Sequence, residues 1–211
     1  MDSIRERTLF PWDDLKKVIM LSKKKETVYA RECEVREVTE SDARSFLDTY
    51  HLQGYARCSV RLGLYHDGEL ACLMTFGKPR YSKKADWELI RLCQCKNVIG
   101  GVERLLKHFV EGYSPKAIIS YCDLSKFDGR TYERLGFTLL RKSAPTRHWY
   151  NPTTGEHYTD ALIRKHGFSR IVNGIEPSDD DVPTHDNATL MRDAGFVEIY
   201  DKGQATYMWT C

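Results

Sequence analysis

The chain has 211 residues, of which 41% are hydrophobic and 29% are charged, and its formal net charge is +2. This length suits one globular domain with an appendage, or two small domains. No apolar run approaches the roughly 18 residues that cross a bilayer, which excludes a membrane-spanning helix. The nearly balanced charge neither requires nor excludes a nucleic-acid partner. The start of the chain lacks an apolar signal segment, so we expect a cytoplasmic protein.

Seven cysteines are spread along the chain, mostly inside apolar runs. In a reducing compartment such thiols pack as small hydrophobic groups. Cys93 and Cys95 would point to one face of a strand, but the sequence has no CxxC pair and no second cluster of His and Cys to accompany them. We therefore predict structural thiols and no metal site.

The first part of the chain is predicted to contain an arm, a strand, a helix and a hairpin. Residues 1–27 form the arm, and the alternating segment Glu26–Val38 enters a strand. Thr39 or Ser41 caps the helix that follows. Two alternating apolar runs then flank His66-Asp67-Gly68, and Asp-Gly is a strong hairpin signal.

Helices and strands alternate in the part of the chain that follows. Gly100 and Gly101 form a turn that opens a helix, and the apolar stripe of that helix includes Phe109. This alternation predicts an α/β or α+β fold around one mixed central sheet flanked by helices. The remaining elements are strands at 87–95, 116–123, 138–142 and 147–150 and a helix at 129–137.

The pattern changes after residue 150, so we predict a core at 28–150 and a C-terminal α+β extension at 151–211. Two short helices, 161–168 and 187–196, each end in Gly-Phe, and a hairpin turns at 201–203. The order of helix, Gly-Phe and strands occurs both at 130–150 and at 187–209. It indicates either an internal duplication or, as we favour, one capping device used twice.

The segments Cys95–Leu106 and Arg130–Phe137 resemble two segments of the GNAT acyltransferases, a family that uses acyl-CoA. Cys95–Leu106 follows a strand and opens a helix, as does the pyrophosphate-binding loop Q/R-x-x-G-x-G/A of that family. Arg130–Phe137 is similar to its later helix, Tyr-Glu-x-x-Gly-Phe. The resemblance implies a GNAT-like fold and a donor that is acetyl-CoA or another acyl-CoA.

The loop also has physical grounds for holding a diphosphate. A helix N-terminus offers free N–H groups and a positive dipole end, and Gly100 and Gly101 let phosphate oxygens approach the backbone. Val98 stands where the family has its first glycine, and Cys95 occupies the position of Gln or Arg. The alternative is a plain tight turn before a core helix. The candidate CoA-binding residues are Leu92, Cys93, Val98, Ile99, Gly100, Gly101 and Val102.

The candidate catalytic residues are a tyrosine, two carboxylates and a histidine. In GNAT enzymes the tyrosine that matches Tyr132 protonates the departing CoA thiolate; the alternative is that Tyr132 only packs its helix on the sheet. Asp123 and Glu88 are expected to act as a base or as orienting carboxylates. Asp123 is otherwise the cap of the next turn, and Glu88 the partner in a structural ion pair. His51 is a candidate base, although a satisfied loop histidine is the more frequent case.

The candidate substrate-binding residues are Arg91, Ser120, Tyr121, His148 and Tyr150. Strict alternation along a strand places Glu88 and Arg91 on opposite faces of the sheet. His148 and Tyr150 belong to a segment that mixes cations with aromatic residues, which suits phosphate contacts together with base stacking.

A closer likeness concerns three segments in the same order, Trp87–Leu92, Ile119–Asp123 and Thr131–Phe137. They resemble the phage Mom-type DNA adenine-modification proteins, which have an acetyltransferase-like fold and install a carbamoylmethyl-type group on adenine N6. Related domains occur beside phage homing and Vsr-like nucleases, and Phe10–Cys33 is similar to a segment that joins such a nuclease to its neighbour. The resemblance implies DNA as partner and substrate.

The favoured prediction is therefore group transfer from an acyl-CoA to an amine, with the exocyclic amine of adenine in DNA as acceptor. If the DNA is a duplex, the base must be flipped out. Two alternatives stay open. One is a non-catalytic DNA-binding module derived from a phage homing nuclease, and the other is an acetyltransferase for a protein or a small amine.

Overall fold

The computed structural model describes residues 25–166 and 187–211. Residues 1–24 of the predicted arm, most of the segment that resembles a nuclease linker, and the Gly-Phe predicted at 167–168 lie outside the described residues. The chain divides into two units. The core unit comprises the described residues up to Lys142 together with Ala205–Cys211, and the inserted unit comprises the described residues of Ser143–Gln204.

The core unit is built on a seven-stranded mixed sheet. Its strands, in spatial order, are β2 (Glu34–Glu37), β3 (Val60–His66), β4 (Glu69–Gly77), β5 (Trp87–Gln94), β7 (Ala117–Asp123), β12 (Gln204–Thr210) and β8 (Thr138–Lys142). β5 and β7 are parallel, whereas β2–β3, β3–β4, β4–β5 and β8–β12 are antiparallel. The predicted α+β class with a mixed central sheet flanked by helices is confirmed.

The β3–β4 hairpin turns at Asp67 and Gly68, as predicted. Both residues have positive φ values, 51° and 82°. A two-residue turn of this hand matches the twist of the flanking strands, and Asp-Gly accepts it at low cost. The hairpin therefore fixes the register of the middle of the sheet, where Leu62 lies opposite Met74.

Two helices cover opposite faces of this sheet. α1 (Glu40–Tyr50) begins at Thr39, whose side chain accepts a hydrogen bond from the Asp42 N–H, and it packs on Leu73 of β4. α2 (Gly101–Tyr113) packs on Cys72, Met74 and Phe76 of the same strand. Because side chains alternate along a strand, the two helices lie on different faces.

Two glycines end short helices in the same way. α3 (Arg130–Arg134) is followed by Gly136, whose N–H donates to the Glu133 carbonyl, and the Phe137 N–H donates to the Tyr132 carbonyl. In the inserted unit, α5 (Asn187–Asp193) is followed by Gly195 and Phe196, which donate to Arg192 and Met191 with the same spacing. This pair of bonds is a Schellman motif, so a shared capping device accounts for the repeated pattern.

The inserted unit has its own small sheet and core. β9 (Arg147–Tyr150) lies between β10 (His157–Thr159) and β11 (Val197–Tyr200), antiparallel to both. α4 (Asp160–His166) and α5 complete the described part of the unit. Its buried core consists of Trp149, Ile163, Met191 and Phe196.

The division of the chain differs from the predicted boundary at residue 150. β9 belongs to the three-stranded sheet of the inserted unit, and β12 returns to the large sheet between β7 and β8. Residues 143–204 are therefore an insertion between two strands of the core sheet and not a C-terminal extension. The difference arises because strand pairing is non-local, and the sequence pattern of residues 204–210 does not indicate which strands pair with them.

A two-stranded parallel sheet was not predicted. β1 (Thr27–Tyr29) pairs with β6 (Asn97–Ile99), and a 3-10 helix, Ala30–Glu32, separates β1 from β2. The segment predicted as one entering strand is thus two short strands with different partners.

Candidate functional site

The two parallel strands at the centre of the sheet part halfway along their length. Their register runs from Trp87 opposite Ile118 to Leu89 opposite Ser120 and ends there. β5 nevertheless continues to Gln94 and β7 to Asp123. The carboxyl ends of both strands consequently border an opening in the sheet, where open α/β sheets collect ligands.

A β-bulge in β5 lies at the point where the strands part. β5 pairs with β4 at Leu89–Phe76 and next at Arg91–Thr75, which leaves Ile90 without a partner in the register. A bulge bends its strand and increases the local twist. The bulge at Ile90 therefore explains how β5 follows β4 while turning away from β7.

The opening is a cleft of about 500 Å³ that is lined by residues from both faces of the sheet. On the face of α2 and α3 it is lined by Val102, Thr131 and Tyr132. On the face of α1 it is lined by His51 and Gln53, in the loop that follows that helix. Side chains from both faces of the sheet therefore border one shared space.

The free edge of β5 presents backbone groups to this cleft. The Cys95 N–H donates to the Ala71 carbonyl on β4. Because the backbone groups of every second residue point to the same neighbouring strand, those of Cys93 and Arg91 also point toward β4. The N–H and carbonyl of Leu92 then face the other side, beyond the end of the pairing with β7. The edge at Leu92 is suited to pair with an amide or to donate to a carbonyl oxygen.

Tyr132 lies on α3 and lines the cleft. Its ring stacks on Tyr207, with centroids 5.0 Å apart and planes at 17°, and meets Phe137 edge-on. Burial raises the pKa of the Tyr132 phenol, while a hydrogen bond with Ser120 and the charge of Arg91 act in the opposite direction. The phenol is therefore held as a neutral proton donor. Both interpretations of this residue, core packing and cleft chemistry, have contacts that support them.

In the turn at Gly100–Gly101, Gly101 is packed by side chains whereas Gly100 is exposed. Gly100 has a φ of 74°, which favours glycine, and a Cβ placed there would lie 3.7 Å from Ala30 Cβ. A Cβ on Gly101 would lie 2.8 Å from a methyl group of Val98. Each of the two positions thus favours glycine for a structural reason, as the tight-turn alternative expects.

The candidate CoA-binding residues separate into two groups. Leu92, Cys93 and Val102 line the cleft, whereas Val98, Ile99, Gly100 and Gly101 are not among its lining residues. Val98 is buried and Ile99 is exposed within β6, which pairs with β1. The opening of the sheet leads to the first turn of α2 and not to the double-glycine turn before it.

Glu88 forms a structural ion pair. Its buried carboxylate accepts from the Arg80 guanidinium at 2.6 and 3.0 Å and from the Arg80 N–H at 2.8 Å. The Glu88 side chain is 1% exposed and that of Arg80 is 45% exposed. Glu88 is not among the residues that line the cleft, so the geometry matches the ion-pair alternative.

Arg91 lines the cleft, and its guanidinium donates to two backbone carbonyls. Nε donates to Gly54 at 2.9 Å and Nη1 to Ile90 at 3.0 Å. Burial lowers the pKa of Arg91, and the nearby charge of Arg80 adds to this effect.

The prediction that Glu88 and Arg91 face opposite sides is wrong, because the bulge at Ile90 interrupts the alternation. Glu88 lies opposite Gly77 and Arg91 opposite Thr75, so both face the same side of the sheet.

Asp123 and His51 both line the cleft and both make local hydrogen bonds. Asp123 Oδ1 accepts from the Ser125 N–H at 3.0 Å, which caps the turn after β7, while Oδ2 lies 3.5 Å from Gln53 Nε2. His51 Nδ1 accepts from the Gln53 N–H at 3.1 Å. A neutral ring in this arrangement carries its proton on Nε2, so Nε2 of His51 is a donor.

The remaining substrate candidates do not share one place. Ser120 is buried, and its hydroxyl donates to the Leu89 carbonyl at 2.9 Å. Tyr121 lines the cleft. His148 and Tyr150 belong to the inserted unit, where Tyr150 is buried and His148 lies between His157 and Asp201, 3.1 and 3.2 Å away.

Several lining residues were not predicted. Arg134 and Thr131 lie on α3, and Lys126 and Phe127 lie in the turn after β7. Arg134 was visible as a cation two residues after Tyr132, within the segment that resembles the GNAT helix. The turn residues carried no signal, because their position depends on the parting of two strands that are distant in sequence.

Within residues 25–166 and 187–211 no cluster of three or more His, Cys, Asp or Glu side chains is arranged to hold a metal ion. None of the helices in this described part combines the length and the apolar character that a bilayer span needs.

No protein-family model and no curated protein matches the chain. Solved structures that are similar to it include a Bacillus subtilis acetyltransferase in complex with CoA, at 12% identity and a TM-score of 0.44, over 85% of this chain and 98% of that chain. Another is the ribosomal-protein-S18-alanine N-acetyltransferase of Escherichia coli, at 14% and 0.43, over 59% and 88%. A third is an agmatine N-acetyltransferase variant in its apo form, at 11% and 0.45, over 85% and 100%. Likeness at this level transfers no substrate and no residue role to this chain.

Proposed function

We propose that the chain transfers an acyl group from a CoA thioester to an amine. The observation that carries this proposal is the cleft where β5 and β7 part, which is lined by residues from both faces of the sheet. Two substrates that enter from opposite faces can meet at one point. Direct transfer requires such a meeting, because holding both reactants in line supplies much of the rate enhancement.

The groups that line the cleft fit an acyl-CoA. Its pantetheine arm contains two amides, and the Leu92 carbonyl on the free edge of β5 can accept from an amide N–H of the arm, as in the addition of a strand. Leu92 and Val102 offer apolar surface to the methylene groups of the arm, and Arg134 offers a cation to the diphosphate. When bound, the CoA thioester supplies an activated acyl group.

Each proposed role follows from a position in the cleft. The amine forms a bond with the acyl carbon and the carbon–sulfur bond breaks, so the products are an amide and free CoA. The Leu92 N–H donates to the acyl oxygen as negative charge develops there. Asp123 takes the proton that the amine loses, and the Tyr132 phenol gives a proton to the departing sulfur.

The acceptor we propose is the exocyclic amine of adenine in DNA. The support for it is the resemblance of Trp87–Leu92, Ile119–Asp123 and Thr131–Phe137 to the Mom-type proteins. Arg91 and Tyr121 line the cleft and are suited to contact such a base through hydrogen bonds and ring contact.

Two measurements test the proposal. Isothermal titration calorimetry of the full chain with acetyl-CoA is expected to show saturable binding. Undetectable binding would rule out the proposal that the chain is an acyl-CoA-dependent transferase. Mass spectrometry of nucleosides from cells that express the protein is expected to show a modified adenosine. An unmodified adenine pool, together with intact acetyl-CoA binding, would point to a protein or a small amine as acceptor.

One observation favours a second function, a non-catalytic DNA-binding module. Gly101 is packed against Val98, and Gly100 has the positive φ that favours glycine, so the double-glycine turn has a structural role without any phosphate. This alternative predicts salt-sensitive DNA binding together with no detectable acetyl-CoA binding in the same calorimetric titration.

A further inference from the structure

A second groove lies in the core unit, next to the cleft. It has a volume of about 390 Å³ and runs between the β4–β5 connection and the edge strand β8, over β7 and β12. Tyr121 lines both the groove and the cleft. The two depressions therefore share one wall, and a ligand extended along the groove reaches the opening between β5 and β7.

The groove has an anchored but exposed aromatic side chain. Tyr81 is 78% exposed, and its ring meets the ring of Tyr121 edge-on at 5.8 Å and 83°. The guanidinium of Arg80 lies 5.5 Å from the Tyr81 ring centroid, and Glu88 holds Arg80 in place. A tyrosine fixed in this way offers ring surface on which a planar base can stack.

The charge of the groove has one sign. Lys84 and Arg141 line it, and no lining residue is acidic. Within the described ranges, 25–166 and 187–211, neither side chain forms an ion pair with a carboxylate. Two cations beside an exposed aromatic ring match the alternation of phosphate and base in a nucleic-acid strand.

We propose that this groove binds a single-stranded segment of nucleic acid, with a base stacked on Tyr81 and phosphates held by Lys84 and Arg141. As the acceptor side of the transfer reaction, this inference rests on the proposed function. A single strand fits better than a duplex, because a base that stacks on a side chain has left its neighbours in the helix. The shared wall at Tyr121 gives a neighbouring base a route into the cleft.

The test is fluorescence anisotropy of the full chain with a labelled single-stranded oligodeoxynucleotide. Tyr81→Ala is expected to weaken binding roughly tenfold, and Tyr81→Phe to bind nearly as the wild type does, because Phe keeps the stacking face. Arg141→Ala is expected to weaken binding and to reduce the salt slope by about one. Tyr29→Ala and Lys107→Ala, exposed residues of matched type elsewhere on the core unit, serve as controls with unchanged binding.

Equal binding by wild type, Tyr81→Ala and Arg141→Ala would overturn the proposal, as would tighter binding of an acidic peptide than of the oligonucleotide. Equal affinity for a matching RNA strand would support it, since phosphate and base are common to both. Acetyl-CoA titrations of the same proteins separate the two ideas. Acetyl-CoA binding without oligonucleotide binding would contradict only the inference about the groove. Oligonucleotide binding that depends on Tyr81, without acetyl-CoA binding, would contradict only the transferase proposal.

Discussion

The hydroxyl of Ser120 donates to the carbonyl of Leu89 at 2.9 Å, and these residues are the last pair in the parallel register of β5 and β7. The bond therefore links β5 and β7 at the point where the cleft begins. Ser120→Ala leaves a buried carbonyl without this donor, and we expect the free energy of unfolding to fall by about 1 kcal/mol. Urea denaturation measures it, with the exposed Ser45→Ala as control. An unchanged stability would show that the bond does not hold the strands.

Tyr132→Phe is expected to lower kcat for acetyl transfer at least roughly a hundredfold, because the phenol is the proposed acid. Its stability should fall by no more than about 1 kcal/mol, the loss of the hydrogen bond with Ser120, since Phe keeps the stack on Tyr207. Tyr113→Phe, at the end of α2, is the control. An active Tyr132→Phe enzyme would leave the residue with its packing role only.

The pH dependence of the reaction should depend on the same phenol. Burial raises the Tyr132 pKa above its ordinary value of about 10, so the proton is present through neutral pH and is lost only in more alkaline solution. A raised folded-state pKa means that the contribution of this group to stability is complete below the ordinary pKa and is lost as pH rises through the raised one. We expect kcat to fall on the alkaline side of about pH 10, and the fall to vanish in Tyr132→Phe. A decline of kcat near neutral pH would show that a group other than the Tyr132 phenol controls the pH dependence.

Glu88→Gln separates a structural carboxylate from a catalytic one. Loss of the charge opposite Arg80 is expected to lower the free energy of unfolding by about 1–2 kcal/mol, because Glu88 is buried while Arg80 is partly solvated. Acetyl-CoA affinity should be unchanged, since Glu88 does not line the cleft. Glu111→Gln, which removes an exposed pair with Lys107 on α2, is the matched control. Unchanged stability together with abolished turnover would show that Glu88 has a catalytic role and not a structural one.

Gly129 supports the helix that carries Tyr132. It has a φ of 80°, and a Cβ there would overlap the hydroxyl of Tyr207. Gly129→Ala is therefore expected to destabilise the protein by about 2–4 kcal/mol in a thermal or urea melt. Gly112→Ala, in α2 with no atom within 4 Å of the added Cβ, should instead be neutral or stabilising. Similar effects of the two substitutions would contradict the difference in backbone conformation and free space between the two positions.

Local sequence signals predicted the local structure well. The Asp67-Gly68 hairpin, the stripe of α2 that includes Phe109, and the Gly-Phe caps after α3 and α5 each depend on residues within one or two turns of each other. Such patterns carry their own physical cause, so they can be interpreted without knowledge of the fold.

Features that depend on distant partners could not be predicted. The pairing of β6 with β1, the return of β12 between β7 and β8, and the bulge at Ile90 each need two segments to meet. The site shows the same division. Tyr132, Asp123, His51 and Arg91 were predicted and do line one cleft, whereas Lys126 and Phe127 became visible only when β5 and β7 were seen to part.

The most direct test of the central claim is hydrogen–deuterium exchange of the full chain with and without acetyl-CoA. If the free edge of β5 binds the donor, amides at 90–94, 121–123 and 130–134 should exchange more slowly when acetyl-CoA is present, and those of the β3–β4 hairpin should not change. Protection confined to other segments, or no protection at saturating acetyl-CoA, would contradict the account.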